Sequence, residues 1–175
     1  MTRRLAVGLF LVSTPGFPEE RPVYTLRVPS SLEQLEVLAC FEGRMPSALV
    51  AADRRAEEHL RAAILRRGES RRPLRIAAHR IALGAAVRDA CVAYTVDLRW
   101  AVEKSWRGLA LRIGDAVLVS PQLWLWYPQA GGSDVEVRFD LPPGVSVSTP
   151  WAPLSEGTEP RAFRTGARPR DWGAK

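Results

Sequence analysis

Lysine is nearly missing from this sequence: of 25 basic residues only Lys104 and Lys175 are lysine, and the rest are arginine. With abundant alanine, that skew is what a GC-rich coding sequence gives, so the net charge of +6 is weak grounds for a nucleic-acid role. The only strongly basic region, Arg54 to Arg80, has no aromatic residue on which a base could stack. Histidine and cysteine are equally scarce, two of each. Cys40, Cys91, His59 and His79 lack the short spacing of a metal site.

Catalytic motifs are absent as well. There is no His-Glu-x-x-His, no Gly-x-Ser-x-Gly elbow and no phosphate-binding glycine loop. Glu57 and Glu58 are neighbours that would not face each other on a helix. Asp134, Glu136 and Asp140 alternate with Arg138 along a strand, the pattern of a polar sheet face. No catalytic residue, metal ligand or cofactor site is therefore expected in this chain.

The apolar run Leu5–Val12 is far too short to span a bilayer. Preceded by Thr2-Arg3-Arg4 and followed by Ser13-Thr14-Pro15-Gly16, it has the three-part order of a secretory signal peptide. The other reading of residues 1–18 is a first β-strand, which would leave the protein cytoplasmic. The order of charge, apolar run and turn favours export to the periplasm or beyond. Cys40 and Cys91 bear on the same question, because an exported chain could pair them as a disulfide. In a cytosolic one they would be small buried hydrophobes. Buried free thiols are the expectation.

What the sequence does contain is core material: 46% of it is hydrophobic, enough for one folded domain. Most of it is arranged as short strands. Val23 to Val28, Val37 to Phe41, Cys91 to Leu98, Leu109 to Ile113 and Ala116 to Ser120 are the main ones. In the third, Val92, Tyr94, Val96 and Leu98 share a face. Asp53 to Arg67 differs: Ala56, Leu60, Ala63, Ile64 and Arg67 fall at helical spacing, with Asp53 placed to cap and Gly68 to stop. The spacing predicts one amphipathic helix over 53–67. Strands at regular intervals with turns between them predict a mainly β antiparallel sandwich over residues 19–152. Residues 153–175, rich in Pro, Gly, Arg and Glu, read as an extended tail or linker.

The aromatic cluster of residues 124–139 is the one candidate site. On a strand, Trp124 and Trp126 would face one way and Leu123, Leu125 and Tyr127 the other, leaving both faces apolar. Either the Trp124/Trp126 pair is a platform for a sugar or peptide ligand, or the 53–67 helix or a neighbouring domain covers it. Coverage is favoured, since large bare apolar patches are rare.

Three segments in order, Val92–Leu98 (VAYTVDL), Val117–Pro128 (VLVSPQLWLWYP) and Val135–Trp151 (VEVRFDLPPGVSVSTPW), resemble the N-terminal β-sandwich of the glycyl aminopeptidase type of zinc metallopeptidase. Phe163 and the run Arg168-Pro169-Arg170-Asp171-Trp172 resemble the approach to that family's catalytic domain. The resemblance spans about residues 85–172. It implies a non-catalytic domain, because the family's zinc ligands and general base lie C-terminal to the sandwich, so no functional residue carries over. The implied partner is a catalytic domain. The 53–67 helix, where the family would have strands, is the departure. The alternative function is a free-standing extracytoplasmic binding module using the tryptophan platform.

Overall fold

Strict alternation of burial along the longest strands sets the architecture. Ala90, Val92, Tyr94 and Val96 are buried, while Cys91, Ala93, Thr95 and Asp97 between them are only partly covered. Leu35, Val37, Ala39 and Phe41 do the same on their strand. A period of two with one apolar face is what a sheet with one packed side requires.

The protein is described here by a computed structural model, which covers residues 21–84, 87–104, 108–129, 134–155 and 161–165. The candidate leader over 1–18, the Gly131-Gly132 turn and the Arg168–Trp172 run lie outside the described residues.

The first elements are β1 (Val23–Arg27), β2 (Gln34–Arg44), β3 (Ala48–Ala51), α1 (Ala56–His59), β4 (Leu60–Arg67) and β5 (Ser70–Pro73). Next come β6 (Arg75–Ala77), β7 (Arg80–Ala82), β8 (Arg88–Asp97), α2 (Leu98–Lys104), β9 (Ala110–Ile113) and β10 (Ala116–Val119). The last are α3 (Pro121–Trp124), β11 (Trp126–Pro128), β12 (Glu136–Asp140), β13 (Ala152–Pro153) and β14 (Ala162–Arg164). They form a large sheet in the order β13-β14-β12-β1-β2-β8-β4-β5, a smaller sheet β11-β3-β7-β6, and the hairpin β9–β10. All pairings are antiparallel except β1 with β12. The mainly β sandwich expected from the sequence is the observed architecture, with one core shared by both larger sheets.

The predicted helix over 53–67 is corrected: only Ala56–His59 are helical, and Leu60–Arg67 is a strand of the large sheet. Burial of Leu60 and Ala63 fits both periods, but burial of Leu65 ahead of Ile64 follows the strand's, and pairing with the edge of β8 decides between them. β4 pairs with β8 from Leu60↔Val96 to Arg66↔Cys91 and with β5 on its other side. A bulge between Leu60 and Ala63 brings the two registers together. Intrinsic helix preference is worth tenths of a kcal/mol per residue, less than ladder hydrogen bonds and core burial together supply.

Leu123–Tyr127 is not a continuous strand either. Ser120 accepts a hydrogen bond from the Gln122 amide (3.3 Å) and Pro121 holds the first turn of α3, so Trp124 ends a helical turn and Trp126 begins β11. Part of the segment read as a tail also joins the large sheet: β14 lies between β12 and β13, and Phe163 is buried against Phe139.

Candidate functional site

The Trp124/Trp126 pair is enclosed, with 4% and 0% of its surface exposed. A ring without a free face cannot stack a sugar or a peptide, so burial leaves the covered arrangement that was favoured from the sequence and not the platform, its alternative. The expected 53–67 helix does not exist as such, although its one helical turn, α1, packs against α3. The large sheet holds the segment from inside. The Tyr24 hydroxyl donates to the Trp126 carbonyl (2.6 Å), and the Tyr94 hydroxyl donates to the Trp124 carbonyl (2.7 Å). Trp124 also meets Trp151 edge to face at 6.0 Å. Burial drives both tyrosine hydroxyls well above their ordinary ionisation range, so they stay protonated donors. These two bonds fasten the α3–β11 segment to the sandwich, which is a structural role.

The histidines lie around α1. His59 is buried with Nδ1 lacking a partner among the described residues, and burial pushes its imidazole toward the neutral form. His79 sits at φ 62° beside Ala78 at φ 50°, in the turn joining β6 to β7. Left-handed backbone at two non-glycine residues is costly. Outside contacts pin it: the His79 amide donates to Glu57 Oε2 (2.7 Å), and the Ala51 amide donates to the His79 carbonyl (3.0 Å). His79 Nδ1 lies 3.0 Å from the same Glu57 oxygen, an ion-pair distance without the alignment of a hydrogen bond. Among the described residues, no three His, Cys, Asp or Glu side chains gather in a way that could hold a metal.

Cys40 and Cys91 are register partners on β2 and β8, and their sulfurs are bonded. The free-thiol expectation is thereby replaced: two neighbouring strands put the Cα atoms 4.0 Å apart, close enough to bridge. Both lie on the outer face of the large sheet, opposite the core, where they are partly covered.

Arg66, Arg67, Arg71 and Arg72 line the β4–β5 hairpin. Arg66 stands directly opposite Arg71 at the exposed side of the sheet. Arg72 sends Nη2 to the Leu83 carbonyl (2.9 Å), tying the two larger sheets together. With Pro73, these charges blunt an edge strand against pairing with another chain.

The surface feature that sequence reasoning passed over is the hairpin β9–β10. Its two strands and the Gly114-Asp115 turn were legible, but not the fate of its outer face. Leu111 pairs with Leu118, and Ile113 pairs with Ala116. The three large aliphatics are 51%, 56% and 58% exposed for Leu111, Leu118 and Ile113. The signal was present: alternation through ALRI and AVLV puts Leu111, Ile113, Ala116 and Leu118 on one face and Ala110, Val117 and Val119, with Arg112, on the other, and a ribbon can bury only one face without a partner.

No protein-family model matches the sequence, and no curated protein matches it. Among solved structures, the fold is similar to a crystal structure of an aminopeptidase N family protein from Idiomarina loihiensis. The TM-score is 0.61 and the sequence identity 13%, covering 83% of this chain and 27% of that one. The likeness is one of fold, and this chain spans about a quarter of that protein's length. No helix among the described residues is long and apolar enough to cross a membrane.

Proposed function

We propose that this chain is the non-catalytic, N-terminal β-sandwich part of an exported zinc metallopeptidase. It packs against a catalytic domain and forms one wall of its cleft. The observation that carries this reading is the likeness of fold to a quarter of an aminopeptidase N family protein. It agrees with the independent resemblance of Val92–Leu98, Val117–Pro128 and Val135–Trp151 to a peptidase sandwich. The Cys40–Cys91 bridge supports an oxidising compartment, where such bonds persist. The zinc and its ligands belong, on this reading, to the catalytic domain.

A peptidase assay tests the proposal. The 175-residue chain should release no amino acid from aminoacyl substrates with or without added zinc. Chelator-sensitive turnover by this chain alone would overturn it. An in-frame His-Glu-x-x-His downstream of Lys175 is the expected genetic counterpart.

A further inference from the structure

The hairpin β9–β10 projects its outer face without a covering layer among the described residues. Leu111, Ile113, Ala116 and Leu118 all lie on that face, because their register pairs them across the ribbon. Among the described residues no third strand joins the hairpin, which forms a sheet of its own. It is packed from behind by α2, and the Ser120 amide donating to the Leu109 carbonyl (2.7 Å) extends its own ladder by one pair. A two-stranded ribbon standing alone is marginal in water. Elsewhere among the described residues the apolar strand faces are turned inward, so this contiguous exposed set stands apart.

We infer that the outer face of β9–β10 is the anchor by which this sandwich docks onto an apolar groove of a second, covalently tethered domain. The inference rests on the function proposed above and names the surface that carries it out. Area argues for a tether. The three aliphatics offer on the order of 300 Å², against about 800 Å² per partner that free association of two proteins buries. So small a patch cannot hold a second copy of this chain in dilute solution. A linked domain is different, because the tether supplies an effective concentration in the millimolar range and the hairpin need only fix the orientation. The partner surface is accordingly a groove of aliphatic or aromatic side chains, wide enough for a two-stranded ribbon.

Amide hydrogen exchange over residues 110–119 tests this in two forms of the protein. In the 175-residue chain, exchange at the hairpin should be fast and independent of protein concentration. In the same chain extended through its downstream reading frame, exchange there should slow at least tenfold. The double variant L111S/L118S should restore the fast rate in the long form while leaving the thermal midpoint of the 175-residue chain nearly unchanged. Protection that rises with concentration in the short chain overturns the inference in favour of self-association. Protection elsewhere on the sandwich but not on the hairpin overturns it while the proposed function stands. Absence of protection anywhere, or a reading frame without a catalytic domain, removes both.

Discussion

Opening the Cys40–Cys91 bridge should destabilise this protein by about 4 kcal/mol at 25 °C. The bridge joins residues 51 apart in sequence. Closing a loop of that length removes roughly 14 cal/mol/K from the unfolded chain, by the loop-entropy relation, which gives that figure. The folded state should tolerate the loss. β2 and β8 remain held by register pairs on either side of the cysteines, from Gln34↔Asp97 to Phe41↔Ala90. For a chain of this size, about 4 kcal/mol corresponds to a fall in Tm of roughly 8–16 °C. The assay is urea unfolding of the oxidised protein, the reduced protein and C40A/C91A, followed by tryptophan fluorescence. Reduced protein and double variant should share a midpoint well below that of the oxidised form. They should also show a steeper denaturant dependence, because the unlinked chain exposes more surface. Oxidised and reduced forms unfolding within about 0.5 kcal/mol of each other would refute the reasoning. The same would follow if alkylation found both thiols free in the native protein.

Removing the Tyr24 or Tyr94 hydroxyl as Y24F or Y94F should cost about 1–3 kcal/mol each, since each strands a buried carbonyl. Thermal melts should show the double variant close to the sum unless the α3–β11 segment detaches as a unit. S120A should cost about 0.5–2 kcal/mol through loss of the α3 cap, read in the same melts. The Arg55 guanidinium, hydrogen-bonded to Asp53, holds that carboxyl below its ordinary value of 3.8. A depressed carboxyl contributes stability that is present above pH 3.8 and lost as pH falls through the lower folded value. D53N should therefore be less stable than the parent at pH 6, with the difference closing in strong acid, and equal gaps at pH 6 and pH 2.5 would contradict this. His59, neutralised by burial, works in the same direction at higher pH. Stability should decline on acidification below its ordinary value of 6.5, and H59F should flatten that part of the stability profile.

Local pattern was enough where it had only one partner to satisfy. The alternation from Cys91 to Leu98 named the buried face of β8 correctly, because a period of two on a central strand leaves no second solution. The strands read over Leu109 to Ile113 and Ala116 to Ser120 are β9 and β10 to within a residue at one end. The strand count and turn spacing determined the class, a mainly β sandwich. Short-range pattern failed where two periods fit the same residues. Leu60 and Ala63 can line a helix with Ile64 or a bulged strand with Leu65, and pairing with the edge of β8 made the strand the lower state. Ser120-Pro121 did announce a helical turn, but five apolar residues after it outweighed that signal.

Site and partner questions needed the third dimension throughout. Whether Trp124 and Trp126 are bare depends on two tyrosines that come from strands 30 and 102 residues away in sequence. Whether Cys40 meets Cys91 depends on β2 and β8 being neighbours, which spacing alone does not dictate. Composition and periodicity determined by themselves that this chain is a β-rich domain without a recognisable catalytic motif. Tertiary structure decided which apolar faces are buried internally and that, among the described residues, the outer face of β9–β10 is left over. Burial is a property of pairs of surfaces, and a sequence specifies only one member of each pair at a time.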